Sequence, residues 1–306
     1  METLTSLLTP DRPIVVAFRD DVTGPLLLRW AAERSQLTGQ PILLLHALPD
    51  PSLMPPVAAG GKPYGSLLAE ARQAMDDESR RVCSDHPGAH VTANIHCGDI
   101  VDALLGFSDD AALIVVGADR VDGQTGEYLG SVGQQVALGS FSPVVVIPRE
   151  AGAGPHSTAR GVVVGVDGSA ESLSALLVAV DEADRSELPL TVVTSSSNQP
   201  ASEDLAVSTL GGSLADLQAD YPDVAVSRVI DTLRSPDESL AFHAASASLL
   251  VIGRHGRGAR PGILLGSVTH TLLLTPPCPT MVVTRRSLPG PPAVEGVPVQ
   301  HRSFGQ

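Results

Sequence analysis

The chain repeats itself. Ile14-Val15-Val16-Ala17 lines up with Val162-Val163-Val164-Gly165 at an offset of 148 residues. At the same offset, Pro41-Ile42-Leu43-Leu44-Leu45 meets Pro189-Leu190-Thr191-Val192-Val193. Further along the offset falls to 136. There Leu113-Ile114-Val115-Val116-Gly117 matches Leu249-Leu250-Val251-Ile252-Gly253, and Tyr128-Leu129-Gly130-Ser131-Val132 matches Leu264-Leu265-Gly266-Ser267-Val268. Pro143-Val144-Val145-Val146 meets Pro279-Thr280-Met281-Val282 in the same frame. The first copy therefore carries 12 extra residues, which fall between its second and third apolar runs, around the Pro/Gly-rich residues 49–65. A chain of 306 residues made this way has to build one fold twice.

Each copy alternates short Val/Ile/Leu runs with amphipathic stretches. Unalternating runs of this length suit strands buried on both faces of a parallel sheet, and their alternation with helices implies βαβ units in an open, doubly wound α/β sheet. Ser169 is placed to cap a helix whose Leu173, Leu176, Leu177 and Val180 share one face, and Pro25 marks the start of the matching helix, ahead of Leu26, Leu27, Trp30 and Ala31. Residues 148–155 are rich in Gly and Pro and read as a linker ending near Arg160. The expected domains are 1–150 and 160–286, followed by a flexible tail at 287–306 that contains Pro289, Pro291, Pro292 and Pro298.

Composition narrows the function. A net charge of −14 opposes phosphate backbones and anionic lipid surfaces, so neither nucleic acid nor membrane is an expected partner. Aromatics at 3% leave little for base stacking. No apolar run approaches the ~18 residues of a membrane span, and the N-terminal residues carry no basic or long apolar stretch of a signal peptide. Cys83, Cys97 and Cys278 form no CxxC pair, which fits reduced thiols and a cytoplasmic location.

In open α/β sheets, ligands bind outside the carboxyl ends of the strands. Two segments of the second copy reach that end. Gly165-Val166-Asp167-Gly168-Ser169 leaves the first strand, where Asp167 either caps the following turn or offers a carboxylate to a ribose hydroxyl or an amino group. Gly253-Arg254-His255-Gly256-Arg257-Gly258 follows the fourth strand and leads to Leu264-Leu265-Gly266-Ser267-Val268-Thr269. Glycines let backbone N–H groups approach an oxyanion, and Ser267 opens a helix running to Leu274. The free N–H groups of Val268 and Thr269, with the hydroxyls of Ser267 and Thr269, are expected to face a phosphate, Arg254 and Arg257 supplying charge. Neither GxxxxGK[ST] nor a GxGxxG after the first strand is present, which disfavours P-loop and dinucleotide chemistry.

The spacing Gly253-x2-Gly256-x9-Gly266-Ser267 resembles the G-2x-G-9x-G-[ST] nucleotide motif of ATP-binding universal stress proteins. Residues 250–283 resemble that family's last strand-loop-helix-strand unit, and Gly165 to Ser169 its first strand and turn. The resemblance covers about 12–148 and 161–284. It implies two tandem five-stranded parallel sheets in the order 3-2-1-4-5, of the Rossmann-like, adenine nucleotide alpha hydrolase-like type. It further implies ATP in the second domain with Mg²⁺ on its phosphates. In that reading Asp167 meets the adenosine moiety, Ser195 lies where backbone meets the adenine, and Gly253, Gly256, Gly266, Ser267, Val268 and Thr269 line ribose and phosphates. Gly165, Arg254 and His255 complete the expected cofactor-binding set. Family members often pair through their last strand, which a tandem chain could do internally, between residues 144–147 and 281–284. The implied function is a nucleotide-dependent stress-response regulator with a protein partner the sequence does not name and a homodimer as the form allowed. The alternative is a nucleotide-free interaction scaffold of the same fold.

The first copy departs from the motif. Arg19 stands at the position of Asp167 and Arg120 at that of Gly256, and only Gly117, Gly130 and Ser131 remain. An arginine cannot accept a ribose hydrogen bond, so the first domain is not expected to hold ATP in the family manner. No metal site is expected either. Cys83, His86, His90, His96 and Cys97 crowd one stretch, but strand alternation points His96 and Cys97 to opposite faces. Nor is an enzyme expected. No GxSxG or HExxH occurs, and Asp167, His255 and Ser267 carry no pairing beyond coincidence, which leaves at most slow ATP hydrolysis or autophosphorylation and no catalytic residues.

Overall fold

The computed structural model describes residues 11–19, 23–53, 62–118, 132–149, 161–195, 217–257 and 265–283. The expected linker from residue 150 onward, the tail, the end of the last strand at residue 284, and Arg120, Gly130 and Ser131 of the degenerate motif lie outside these residues.

The first half runs β1 (Ile14–Ala17), α1 (Gly24–Thr38), β2 (Ile42–Leu48), α2 (Tyr64–Asp85), β3 (Val91–Cys97), α3 (Ile100–Phe107), β4 (Leu113–Gly117), α4 (Val132–Gly139) and β5 (Val144–Ile147). The second runs β6 (Val162–Gly165), α5 (Ala170–Arg185), β7 (Leu190–Ser195), β8 (Val226–Asp231), α6 (Pro236–Ala244), β9 (Leu249–Gly253), α7 (Ser267–Leu274) and β10 (Thr280–Val283). Among the described residues, ten strands form one sheet in the order β3-β2-β1-β4-β5-β10-β9-β6-β7-β8. Counted within its own half, each set of five reads 3-2-1-4-5 and is parallel throughout. The expected two sheets are thus joined edge to edge: β5 and β10 pair antiparallel, with Met281 opposite Val145.

Strand alternation sends successive side chains to two apolar layers. One layer holds Ile14 and Val16 together with Leu27, Leu28 and Ala31 of α1 and Met75 of α2, and continues through the second half with Leu176 and Val180 of α5. The other holds Val15 and Ala17 with Leu104 of α3 and Val136 of α4, and continues with Leu240 of α6 and Leu272 and Leu273 of α7. Central strands such as β4 and β9 are covered on both sides, which is why they read as continuous apolar runs.

Helix boundaries follow local chemistry. Ser169 Oγ accepts from Ser172 N at 3.2 Å and caps α5, and Pro25 sits in the first turn of α1. The buried face of α5 is rotated from the leucine stripe read in the sequence. Ala175, Ala179 and Ala183 are fully buried beside Leu176 and Val180, while Leu173 and Leu177 flank the core half-buried. Alanines at the closest approach let the helix lie tight against β6 and β9. The third strand of the first half and its preceding turn form as expected, and no metal-competent cluster of His, Cys, Asp or Glu occurs among the described residues.

Candidate functional site

The strand order reverses between β6 and β9: each is the other's neighbour, and the chain leaves β6 in the opposite direction to reach β7. At the carboxyl ends of these two strands lies a cavity of about 540 Å³, within the usual range for small-molecule sites. Its floor is Gly165 of β6, Val166 and Asp167 just beyond that strand, and Ile252 and Gly253 from β9. Val193 and Ser195 close one side from β7, His255, Gly256 and Arg257 the other, and Gly266 to His270 form the wall at the start of α7. Ten of the eleven residues expected to hold a cofactor therefore meet in one place.

Asp167 is the hinge of this arrangement. One carboxylate oxygen, Oδ1, accepts from Ser169 N at 2.9 Å, and the other, Oδ2, accepts from Arg257 N at 2.7 Å. The side chain thus caps its own turn and also ties the exit of β6 to the glycine-bearing loop after β9. Burial pushes its carboxyl upward, but the hydrogen bonds from Ser169, Arg257 and Ser172 outweigh it and hold the group below the ordinary aspartate value. It faces the cavity as an anion with acceptor capacity left over, since a carboxylate offers about four lone-pair sites.

The glycines are required by proximity. A Cβ on Gly256 would lie 2.4 Å from Asp167 Oδ2, so no side chain fits there while that carboxylate holds Arg257 N. Gly168 has a φ of 80°, the left-handed region that favours glycine, and a Cβ there would meet Arg257 Nη2 at 2.4 Å.

The N-terminus of α7 supplies the donors. Gly266 is its N-cap, so Ser267 takes the first helical position. Gly266 N donates to Arg254 O at 2.9 Å, and the next three N–H groups, of Ser267, Val268 and Thr269, have no intrahelical acceptor. Three such groups at the positive end of a helix dipole suit an anion. The Thr269 hydroxyl, expected at a phosphate, is committed elsewhere: it is buried and donates to Gly253 O at 2.8 Å, pinning α7 to β9. Ser195 contributes its position, while its hydroxyl donates to Arg234 O at 2.9 Å.

Arg254 corrects the sequence expectation. It does not line the cavity; its Nη2 donates to Ser140 O at 2.7 Å, in the first half. Arg254 N bonds to Val283 O at 3.1 Å and so prolongs the β9–β10 ladder. Side chains alternate along such a segment, so Gly253 and His255 face the cavity and Arg254 is turned to the seam. Burial pulls its guanidinium below the ordinary arginine value.

Sequence reasoning missed the contribution of α6. Pro236 and Leu240 line the cavity, and a Cβ on Gly165 would lie 2.9 Å from Leu240 Cδ1, so the missing side chain makes room for the leucine. The signal was present in Ser235-Pro236-Asp237-Glu238, a helix start in which Ser235 N donates to Glu238 Oε2 at 3.1 Å. The first half has a pocket of about 600 Å³ at the matching place, the ends of β1 and β4, but Arg19 stands where Asp167 would, beside Phe18, Thr23 and His46.

An open α/β sheet with a glycine-lined cavity at its switch point, walled by a helix N-terminus, is an arrangement whose backbone amides can hold a small anionic ligand. The sequence model of the Universal stress protein family matches residues 11–148 and again 159–284. The chain belongs to the universal stress protein family, as a tandem member. It is similar to universal stress protein Rv2623 of Mycobacterium tuberculosis, at 32% identity over 90% of this chain and 97% of that one. Universal stress protein Rv2005c of the same organism is 30% identical over 90% of this chain and 97% of its own length. The crystal structure of a universal stress protein from Archaeoglobus fulgidus shares the fold with a TM-score of 0.67, at 18% identity and covering 91% of this chain and 97% of that one. A second structure from that organism, in complex with dAMP, covers 45% of this chain and 98% of its own at 26% identity and a TM-score of 0.33.

Proposed function

We propose that the chain is an ATP-binding regulator of the stress response that holds one nucleotide, in its second half, and acts in the cytoplasm by binding rather than catalysis. The observation that carries this reading is the convergence of Asp167, the close-approach Gly256 and the free N–H groups opening α7 on one cavity of about 540 Å³. Val193, Leu240 and Ile252 supply apolar wall for a base, Asp167 an acceptor for ribose or amino donors, and Ser267, Val268 and Thr269 donors for phosphate. Mg²⁺ fits only as a passenger on the phosphates. The cavity offers one carboxylate, and no metal-competent cluster exists among the described residues, a pattern that suits an ion shared with substrate oxygens. The first half, with Arg19 in place of the carboxylate, is not part of this site.

The test is a thermal-shift titration of the full chain with ATP and Mg²⁺. Ligand at 100 times its dissociation constant should stabilise the fold by about 2.7 kcal/mol. Gly256→Glu should abolish the shift while the ligand-free protein still melts cooperatively, because a side chain there displaces Asp167. A wild-type chain indifferent to millimolar ATP would sink the proposal. Mass spectrometry of small molecules released from freshly purified protein separates it from a nucleotide-free scaffold.

A further inference from the structure

Outside the 12 extra residues of the first copy, the repeat pairs residues of one half with counterparts in the other, and at three places along the seam a residue meets its own counterpart. Val145 and Met281, related by the offset of 136, face each other in the β5–β10 ladder. Gln134 and His270, related by the same offset, touch where Gln134 Nε2 donates to His270 O at 3.4 Å. Arg34 of α1 and Glu182 of α5, related by the offset of 148, form an ion pair through Arg34 Nη1 and Glu182 Oε2. Contacts between counterparts mark a local two-fold axis, as in the interface of a symmetric dimer.

On such an axis, identical halves would set each residue against itself. A first half on a copy of itself would bury Arg34 against Arg34, and a second half would bury Glu182 against Glu182. The two side chains are 8% and 7% exposed, so little water reaches either charge. Like charges at that depth are strongly unfavourable, and only the mixed pairing is neutral. Other charges line the cleft at this pair, Glu33 beside Arg34 and Arg185 beside Glu182, and Asp181 is bonded to Arg185 at 2.8 Å; none of them lies as deep as the Arg34–Glu182 pair. Nor is the pair arranged for greatest stability: Arg34 Nε is buried with no hydrogen-bond partner among the described residues. A buried pair of this kind contributes little net stability against an apolar replacement, and its larger effect is on which surfaces may meet. The other two axial contacts, one apolar and one to a backbone carbonyl, discriminate much less.

We infer that the seam is a heterotypic interface in which each half accepts the other and rejects a copy of itself, Arg34 opposite Glu182 being the discriminating contact. Full-length variants test it by thermal melting. Arg34→Glu sets Glu against Glu, the combination a second half would meet in its own copy, and Glu182→Arg sets Arg against Arg. Arg34→Met and Glu182→Gln each remove one charge without creating a like pair, and the double exchange R34E/E182R restores neutrality with the sites swapped. The double exchange should melt above both like-charge variants. Those variants should melt about 5 °C or more below the variants that keep a single unpaired charge, or fail to fold. If the like-charge variants melt together with the single-charge ones, or the double exchange melts no higher than either like-charge variant, the inference is overturned.

Discussion

Asp167 joins the two readings its sequence context left open: it caps its turn and it lies in the cavity, because its two oxygens serve different partners. Its depressed pKa fixes a sign. A carboxyl held below its unfolded value contributes stability above about pH 4 and loses it as pH falls through the lower folded value. Urea unfolding of wild type and Asp167→Asn should therefore differ at pH 7, with wild type the more stable, and the gap should shrink progressively below about pH 4. A gap that stays constant across that range would show that the ionised form is not the one being stabilised. At this scale the motif glycines were legible, because only a residue without Cβ fits where an added Cβ would lie 2.4 Å from a carboxylate oxygen. Arg254 was not, since spacing along the chain says nothing about which side of an extended segment a side chain leaves.

At the scale of elements, α7 is held to β9 by a bond that the sequence suggested for another purpose. The Thr269 hydroxyl anchors the helix whose N-terminus walls the cavity. Thr269→Val keeps the shape and removes the donor, leaving Gly253 O without it; the expected cost is about 1–2 kcal/mol, measured by urea denaturation. If the same variant also weakens nucleotide-dependent stabilisation, the helix has shifted as well as loosened. The order of strands and helices was legible because buried parallel strands and capped helices write distinct patterns, as at Ser169 before α5. The rotation of the α5 face was not, because alanine reads as neutral in a hydrophobic stripe although it marks the closest packing, at Ala175, Ala179 and Ala183. The part of α6 in the site was hidden for a similar reason: Leu240 reads as ordinary core until Gly165 is seen to leave space for it.

For the whole molecule, the β5–β10 ladder turns two repeats into one body. Met281 is 1% exposed at the centre of that ladder, so Met281→Asp would bury a carboxylate without a partner. The expected loss is more than about 3 kcal/mol, seen as a fall in the urea midpoint. A change under about 1 kcal/mol would mean that the halves stand without the seam. The antiparallel join has a directional consequence. Strands within a half run one way and those of the other half run the opposite way, so the carboxyl ends of the two halves lie at opposite rims of the sheet. The two rims are unlike, one presenting an aspartate over a glycine loop and the other an arginine. A partner arriving at one rim meets one chemistry or the other, so orientation is built into any complex formed there before a single specific contact is made.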